Sequence, residues 1–211
     1  SFSPREREDL FKVAVAVRQE HPDFRLLAGT GTPSLQETID LNKAAFNAGF
    51  EGVVVLPPFY FRKASEEGLF KWFDAVICQS VPDGKYLLGY HIPGVSGVAL
   101  SLDLLARLKD AHPLKFAGIK DSSHSIDHAK ALGNRFGQDL LVFNGTDSYL
   151  TEAMKAHAQG CITAPANLIS PELRELWDAL TQNQNGTAIQ AKITVIREIL
   201  EKYMPFPPIL K

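Results

Sequence analysis

Lys120 closes the run Phe116-Ala117-Gly118-Ile119-Lys120, where the two-residue period of a strand puts it on the same face as Gly118. Glycine carries no side chain, so room is left beside a long primary amine for a small molecule. An amine held among apolar groups loses hydration of its charged form. Its pKa falls, and the neutral nucleophile that imine formation with a ketone requires becomes available. The same position also suits a lysine whose methylene stem snorkels from a strand end into water. Tyr90 stands near the end of the preceding apolar run, ahead of the turn-rich exit His91-Ile92-Pro93-Gly94-Val95-Ser96-Gly97, and is expected to neighbour Lys120. A phenol there can relay protons to and from a carbinolamine or a developing enolate, or it can serve packing alone.

Other residues with chemistry are weaker signals. His124 and His128 are four apart, a spacing that lets two imidazoles share a helix face, but no third ligand pattern accompanies them and no metal is expected there. Pro57-Pro58-Phe59-Tyr60-Phe61-Arg62 gathers three aromatics on a loop, which suits a ligand lid, a subunit contact or core packing. Asn144-Gly145-Thr146-Asp147 and Thr163-Ala164-Pro165-Ala166-Asn167 offer small and polar groups able to bind carboxylates or hydroxyls, or to make turns and caps. Lys115 begins the Lys120 strand at its opposite end, where solvated charge is expected instead of catalysis.

The elements that must position these residues repeat. Ser3, Pro4 and Glu6 form a capping box ahead of an apolar run to Val17, so the chain opens on a helix. Strand-like runs then precede helical patterns: Arg25–Gly29 before Leu35–Ala48, Gly52–Leu56 before Ser65–Gln79, and Tyr86–Ile92 before Leu100–Ala111. Lys115–Lys120 precedes Ser125–Phe136, Leu140–Asn144 precedes Tyr149–His157, and Gly160–Thr163 precedes Pro171–Leu180. The strands are nearly continuous apolar runs, as parallel strands covered on both faces by helices require. The fold class is therefore α/β. A last helix over residues 187–203 is expected to stop at Pro205-Phe206-Pro207-Pro208. No GxGxxG or GxxxxGK[ST] follows the first strand, so nucleotide binding in a doubly wound sheet gains no support.

Composition narrows the field further. The chain has 211 residues, 22 basic and 24 acidic, with a formal charge of -2 and 45% hydrophobic residues, which suits one globular domain over residues 1–211. Basic residues are scattered, so nucleic acid is not an expected partner. No run reaches the roughly 18 apolar residues of a membrane span. Cys78 and Cys161 lack CxxC spacing and sit in apolar contexts, which suits buried thiols better than a bridge and points to a reducing cytoplasm.

The strand ends together resemble the dihydrodipicolinate synthase and N-acetylneuraminate lyase family of class I aldolases. Gly29-Thr30-Gly31 resembles the family's AGTG turn, Pro57-Pro58-Phe59-Tyr60 its TPYY loop, Tyr90-His91-Ile92-Pro93 with Gly97 its YNVPxxxG segment, and Gly118-Ile119-Lys120-Asp121-Ser122 its GIKxS strand. Asn144-Gly145 and Gly160-Cys161-Ile162 with Ala166-Asn167 are similar to its last two strand ends. The resemblance implies a (β/α)8 TIM barrel of which this sequence carries about six of eight strand–helix units, and hence an incomplete barrel domain. It implies that Lys120 forms an imine with pyruvate or another 2-oxo acid, that Tyr90 relays protons, that Gly145 and Ile162 border the substrate, and that Tyr60 reaches a neighbouring subunit's site in a homo-oligomer. No metal or organic cofactor is implied.

Departures shape the expected reaction. Val95 stands where the synthase branch has an arginine for the second substrate's carboxylate, and valine offers no bidentate fork. His91 replaces the usual Asn, and Tyr-x-Ile-Pro-x-x-Ser-Gly is closer to the sialate lyase and 2-keto-3-deoxy sugar acid branches. The family's Gly-Thr-Thr-Gly-Glu motif is expected ahead of Ser1, in a longer parent chain. The expected activity is a Schiff-base lyase that cleaves or forms a carbon–carbon bond next to pyruvate. Dihydrodipicolinate synthase-like condensation, sugar acid dehydration and noncatalytic 2-oxo acid binding are the alternatives.

Overall fold

The computed structural model of the chain describes residues 2–203, 208 and 210. The chain divides into two compact units, Ser1–Ile119 and Lys120–Lys211. Strands of the sheet follow chain order.

In the first unit, α1 (Pro4–Glu20) leads to β1 (Leu27–Gly29), α2 (Leu35–Ala48), β2 (Gly52–Val55), α3 (Glu66–Ser80) and β3 (Tyr86–His91). A helical turn α4 (Pro93–Ser96) and helix α5 (Leu102–Ala111) follow, and then β4 (Phe116–Asp121), in which the division between the units falls. β1 pairs with β2 and β2 with β3, both parallel, in registers Leu27↔Gly52 and Gly52↔Tyr86. The second unit holds α6 (Ile126–Phe136), β5 (Leu141–Asn144), a 3₁₀ turn at Asp147–Tyr149, α7 (Leu150–Lys155), β6 (Gly160–Cys161), α8 (Ala166–Thr181) and α9 (Thr187–Glu201). There β5 pairs with β6 in parallel, Phe143 opposite Gly160.

Serines start most of these helices. Ser3, Ser34, Ser65, Ser101 and Ser125 each accept a backbone N–H from the first turn of α1, α2, α3, α5 and α6. Each such cap is worth about 1 kcal/mol. The capping box at Ser3 and Glu6 forms as expected, with the serine N–H donating to Glu6 at 2.8 Å. Behind the caps, one face of each helix turns onto the strands. Ile39, Leu41, Phe73, Ile77, Leu104, Leu105 and Leu108 are almost fully buried in the first unit, as are Leu150, Leu176 and Ile193 in the second. Phe11 of α1 meets Phe50 edge-on at 5.1 Å, and Arg18 reaches Glu51 and the Gly49 carbonyl, which fastens the opening helix to the α2–β2 turn.

Several boundaries differ from the expected ones. α4 is an unforeseen turn, favoured because Pro93 occupies its first position and Gly97, at φ +67°, closes it. The helix expected over Tyr149–His157 is split into the 3₁₀ turn and α7, and it ends early because His157 adopts φ +68°. β6 is shorter than Gly160–Thr163, ending at Cys161, and beyond it the Thr163 hydroxyl donates to Asp147 at 2.7 Å. Helical structure begins at Ala166 instead of Pro171, with a break at Ile169 (φ -121°, ψ 31°) that lets Pro171 sit in the first turn of the second segment. The helix expected over 187–203 spans Thr187–Glu201, and the proline stop at Pro205, Phe206 and Pro207 lies outside the described residues.

Candidate active site

In the second unit, Lys120 is the fifth of six residues in β4 and is half-buried. Asp121, the next residue, is 2% exposed. Its carboxylate accepts the Ser123 N–H and hydroxyl, both at 3.1 Å, and His128 Nε2 stands 3.9 Å away. Burial pushes the Asp121 carboxyl above its ordinary value, against the opposing pull of His128 and the Ser123 hydrogen bonds.

Backbone bonds carry the strand ends across to the other expected residues. The Asp121 carbonyl accepts the Gly145 N–H at 2.6 Å, and the Asn144 carbonyl accepts the Ile162 N–H at 2.9 Å. The unit therefore ties the segments bearing Lys120, Gly145 and Ile162 into one row at the carboxyl ends of β4, β5 and β6. Glycine is required at 145, because a Cβ there would run into the Ser122 hydroxyl and the Asp121 carbonyl. Asn144, expected within a polar strand exit able to bind carboxylates or hydroxyls, keeps one donor unused. Its Oδ1 accepts the Thr146 N–H at 2.9 Å, while its buried Nδ2 has no hydrogen-bond partner among the described residues. Only the burial of that amide reveals it as an unused donor.

The polar loop residues after β5 and β6 are mostly occupied with structure. Asp147 is fully buried, takes the Thr163 hydroxyl at 2.7 Å and stands 3.4 Å from Arg197 Nη1 through both oxygens. Cys161 is free, with its thiol pushed up to about 12 by burial first and Asp147 second, so it stays protonated.

In the first unit, Tyr90 is likewise the fifth residue of a six-residue strand, β3, and is half-buried. It lines a groove of about 470 Å³ together with Phe11, Leu27, Gly29, Gly31 and Leu56. Gly31 is glycine because a Cβ would meet the Leu56 backbone nitrogen. Thr30, between the two glycines, is fully buried and its hydroxyl has no hydrogen-bond partner among the described residues. His91 is buried, and its Nδ1 accepts the Leu100 N–H at 3.0 Å, which closes the exit loop of β3. Tyr60 is 77% exposed, stacks edge-on against Phe61 at 5.4 Å, and lines a different, open apolar groove of about 990 Å³ with Pro33, Leu35, Pro58 and Trp72. Val95 is also exposed.

Two expectations are adjusted. His124 and His128 do not share a helix face. His124 adopts φ +57° ahead of the Ser125 cap, so α6 starts after it, and its Nδ1 lies 3.5 Å from the Thr146 hydroxyl. Lys115 is not simply solvated, since its ammonium bonds the Val81 carbonyl at 2.8 Å and pairs with Asp83 at 3.2 Å.

Parallel strands in chain order, each followed by a helix and with the polar residues gathered at their carboxyl ends, define the class as an α/β barrel chain with six of the eight units. The chain belongs to the dihydrodipicolinate synthetase family, whose model matches residues 1–211. An uncharacterized DapA-like lyase of Chloroflexus aurantiacus is 33% identical over 211 residues, all of this chain and 69% of the relative. The 4-hydroxy-tetrahydrodipicolinate synthase of Thermus thermophilus is 36% identical over 162 residues, covering 76% of this chain and 53% of that enzyme. The chain thus spans between about half and two thirds of the curated relatives it matches. Among solved structures, the chloride-inhibited dihydrodipicolinate synthase of Acinetobacter baumannii complexed with pyruvate superposes with a TM-score of 0.87 at 27% identity, over 100% of this chain and 69% of that one. Among the described residues no helix is long and apolar enough to cross a membrane.

Proposed function

We propose that the whole protein is a class I, Schiff-base lyase acting on 2-oxo acids, with Lys120 as the nucleophile. The observation that carries this reading is the setting of Lys120: a half-buried amine at the carboxyl end of a parallel strand, followed by a buried Asp121 whose carbonyl ties it to Gly145. Carboxyl ends are where barrels of this kind do their chemistry. A relative with pyruvate in its structure supports a keto acid as the ligand.

The chemistry follows from the amine. Its nitrogen adds to the keto carbon, a proton passes to the oxygen, and water leaves to form the imine. In the cleavage direction, a base takes the proton of the hydroxyl on the fourth carbon, the bond between the third and fourth carbons breaks with its electron pair flowing into the protonated imine, and an aldehyde departs. The enamine takes up a proton at the third carbon, and water then releases pyruvate and restores the amine. The imine nitrogen is the electron sink, so no metal or organic cofactor is called for in this reaction.

Tyr90 is assigned to move the protons of these steps. Its motif and its matching position in β3 support that role. The backbone at Gly145 and Ile162 is assigned to the substrate border, and Tyr60 to a neighbouring subunit's site in a homo-oligomer. The exposed valine at 95 favours a sugar acid or other 2-oxo acid over a second carboxylate-bearing substrate, because it offers no charged fork. A second reading, condensation of the 4-hydroxy-tetrahydrodipicolinate synthase type, is favoured by the similarity to the Thermus synthase. Borohydride reduction in the presence of pyruvate, with peptide mass spectrometry of the full-length protein, tests the common step: a reduced pyruvate adduct is expected on Lys120, and its absence refutes the assignment. Product analysis then separates aldehyde release from water loss and from condensation.

A further inference from the structure

Asp74, Cys78 and His112 converge on the outer layer of the first unit, away from the strand ends to which catalysis is assigned. Asp74 and Cys78 are four residues apart on α3, one helical turn, so their side chains share a face. His112 caps the carboxyl end of α5, which packs against that face. His112 Nε2 lies 2.8 Å from Asp74 Oδ1, and Cys78 Sγ stands 3.9 Å from the same oxygen. One ligand atom from each of the three residues falls within 4.8 Å of the others.

We propose that these three side chains bind a borderline-soft divalent cation of the zinc class. An aspartate–histidine pair alone would account for the short contact, and the thiol, a weak donor to the same oxygen from one turn along α3, adds a third ligand type beside it. A tetrahedral ion, with bonds of about 2.0–2.3 Å to nitrogen, oxygen and sulfur, sets its donors roughly 3.3–3.7 Å apart. Two of the separations, 2.8 and 3.9 Å, bracket that range and the third lies within 4.8 Å, so side-chain rotation without backbone movement is what seating the ion asks for. A nitrogen, an oxygen and a sulfur donor together suit zinc better than magnesium or calcium, which take oxygen. Three protein ligands leave a fourth position for water or a further ligand.

The local field agrees with a cation. Cys78 lies in the last turn of α3 and His112 at the cap of α5, so two helix carboxyl ends present their negative poles to the site. Lys115, whose charge also reaches Cys78, is anchored by the Val81 carbonyl and Asp83. Cys78 is exposed, not buried as its apolar flanks suggested, and gives the ion a path in; metal binding there displaces the thiol proton.

Titration of the purified, tag-free protein with Co²⁺ tests the proposal. One cobalt ion per chain is expected, with the intense visible bands of a tetrahedral site and a thiolate-to-cobalt charge-transfer band, all displaced by one equivalent of Zn²⁺. Zn²⁺ is also expected to protect Cys78 from alkylation. Cys78→Ser replaces an exposed thiol with a near-isostere and should leave the far-UV circular dichroism unchanged, while abolishing the charge-transfer band and weakening cobalt binding by about 100-fold or more. His112→Gln should weaken binding to a similar degree. Failure to bind cobalt, a charge-transfer band that survives Cys78→Ser, or one that disappears instead with Cys161→Ser overturns the assignment.

Discussion

Asp121 sits directly beside the proposed nucleophile, and its environment works against its charge. Its carboxyl would ionise near 3.8 in water, but burial raises it, with His128 and the Ser123 N–H and hydroxyl pulling the other way. For a carboxyl raised in the folded state, the native protein holds more proton than the unfolded chain between the two values. Stability contributed at this position therefore falls as pH rises from 3.8 through the higher native value, the reverse of a salt-bridged aspartate. Asp121→Asn removes this titration while keeping an oxygen to accept from Ser123. Comparing denaturant midpoints of the two proteins from about pH 4 to about 7 should show the parent losing stability relative to the variant as pH rises. A parent that gains relative stability over that span would refute the buried-carboxyl account.

At the scale of elements, α9 does more than cover the second unit. Arg197, 4% exposed within its inner stripe near Ile193, reaches the fully buried Asp147, which also holds the Thr163 hydroxyl. Gln190 of the same helix donates to the Asp147 carbonyl at 3.0 Å. One helix thereby fixes the loops leaving both β5 and β6, the loops that carry Gly145 and Ile162. Truncating one partner of such a pair strands the other charge in the interior, and Arg197→Ala is expected to destabilise the fold by about 3–5 kcal/mol, read as a drop in urea midpoint. Lys12→Ala is the control. Its pair with Asp9 is mostly exposed, and its loss should leave the urea midpoint almost unchanged. Equal losses for the two variants would show that the Asp147 network carries no special weight.

For the molecule as a whole, the exposed aromatics after β2 bear on assembly. Tyr60 and Phe61 are 77% and 57% exposed, beside an apolar groove, and the subunit contact proposed for Tyr60 would cover them. Replacing Tyr60 with alanine is expected to shift the full-length protein towards smaller species by light scattering, with Lys120 still trapped by pyruvate and borohydride. An unchanged molar mass would take Tyr60 out of the subunit contact.

Reading the chain in order was enough to find the six strand–helix units, because each strand is a short apolar run and five helices begin at serines whose hydroxyls accept the first free amides. The same local patterns placed Lys120 and Tyr90 at the ends of their strands. Local pattern could not say how far a segment is pulled by something distant. Thr163, expected in β6, lies beyond its end and bonds Asp147, sixteen positions away, and Asp147 is held by Arg197, fifty away. His124 leaves the helix face it shared on paper because its backbone turns through positive φ before the Ser125 cap. The grouping of Asp74 and Cys78 with His112, and the unpaired amide of Asn144, likewise exist only once the helices and strands have packed. Residue types and periodicity determine which elements form. Burial and long-range pairing, whose energies depend on groups brought together from far along the chain, decide what the polar residues on those elements do.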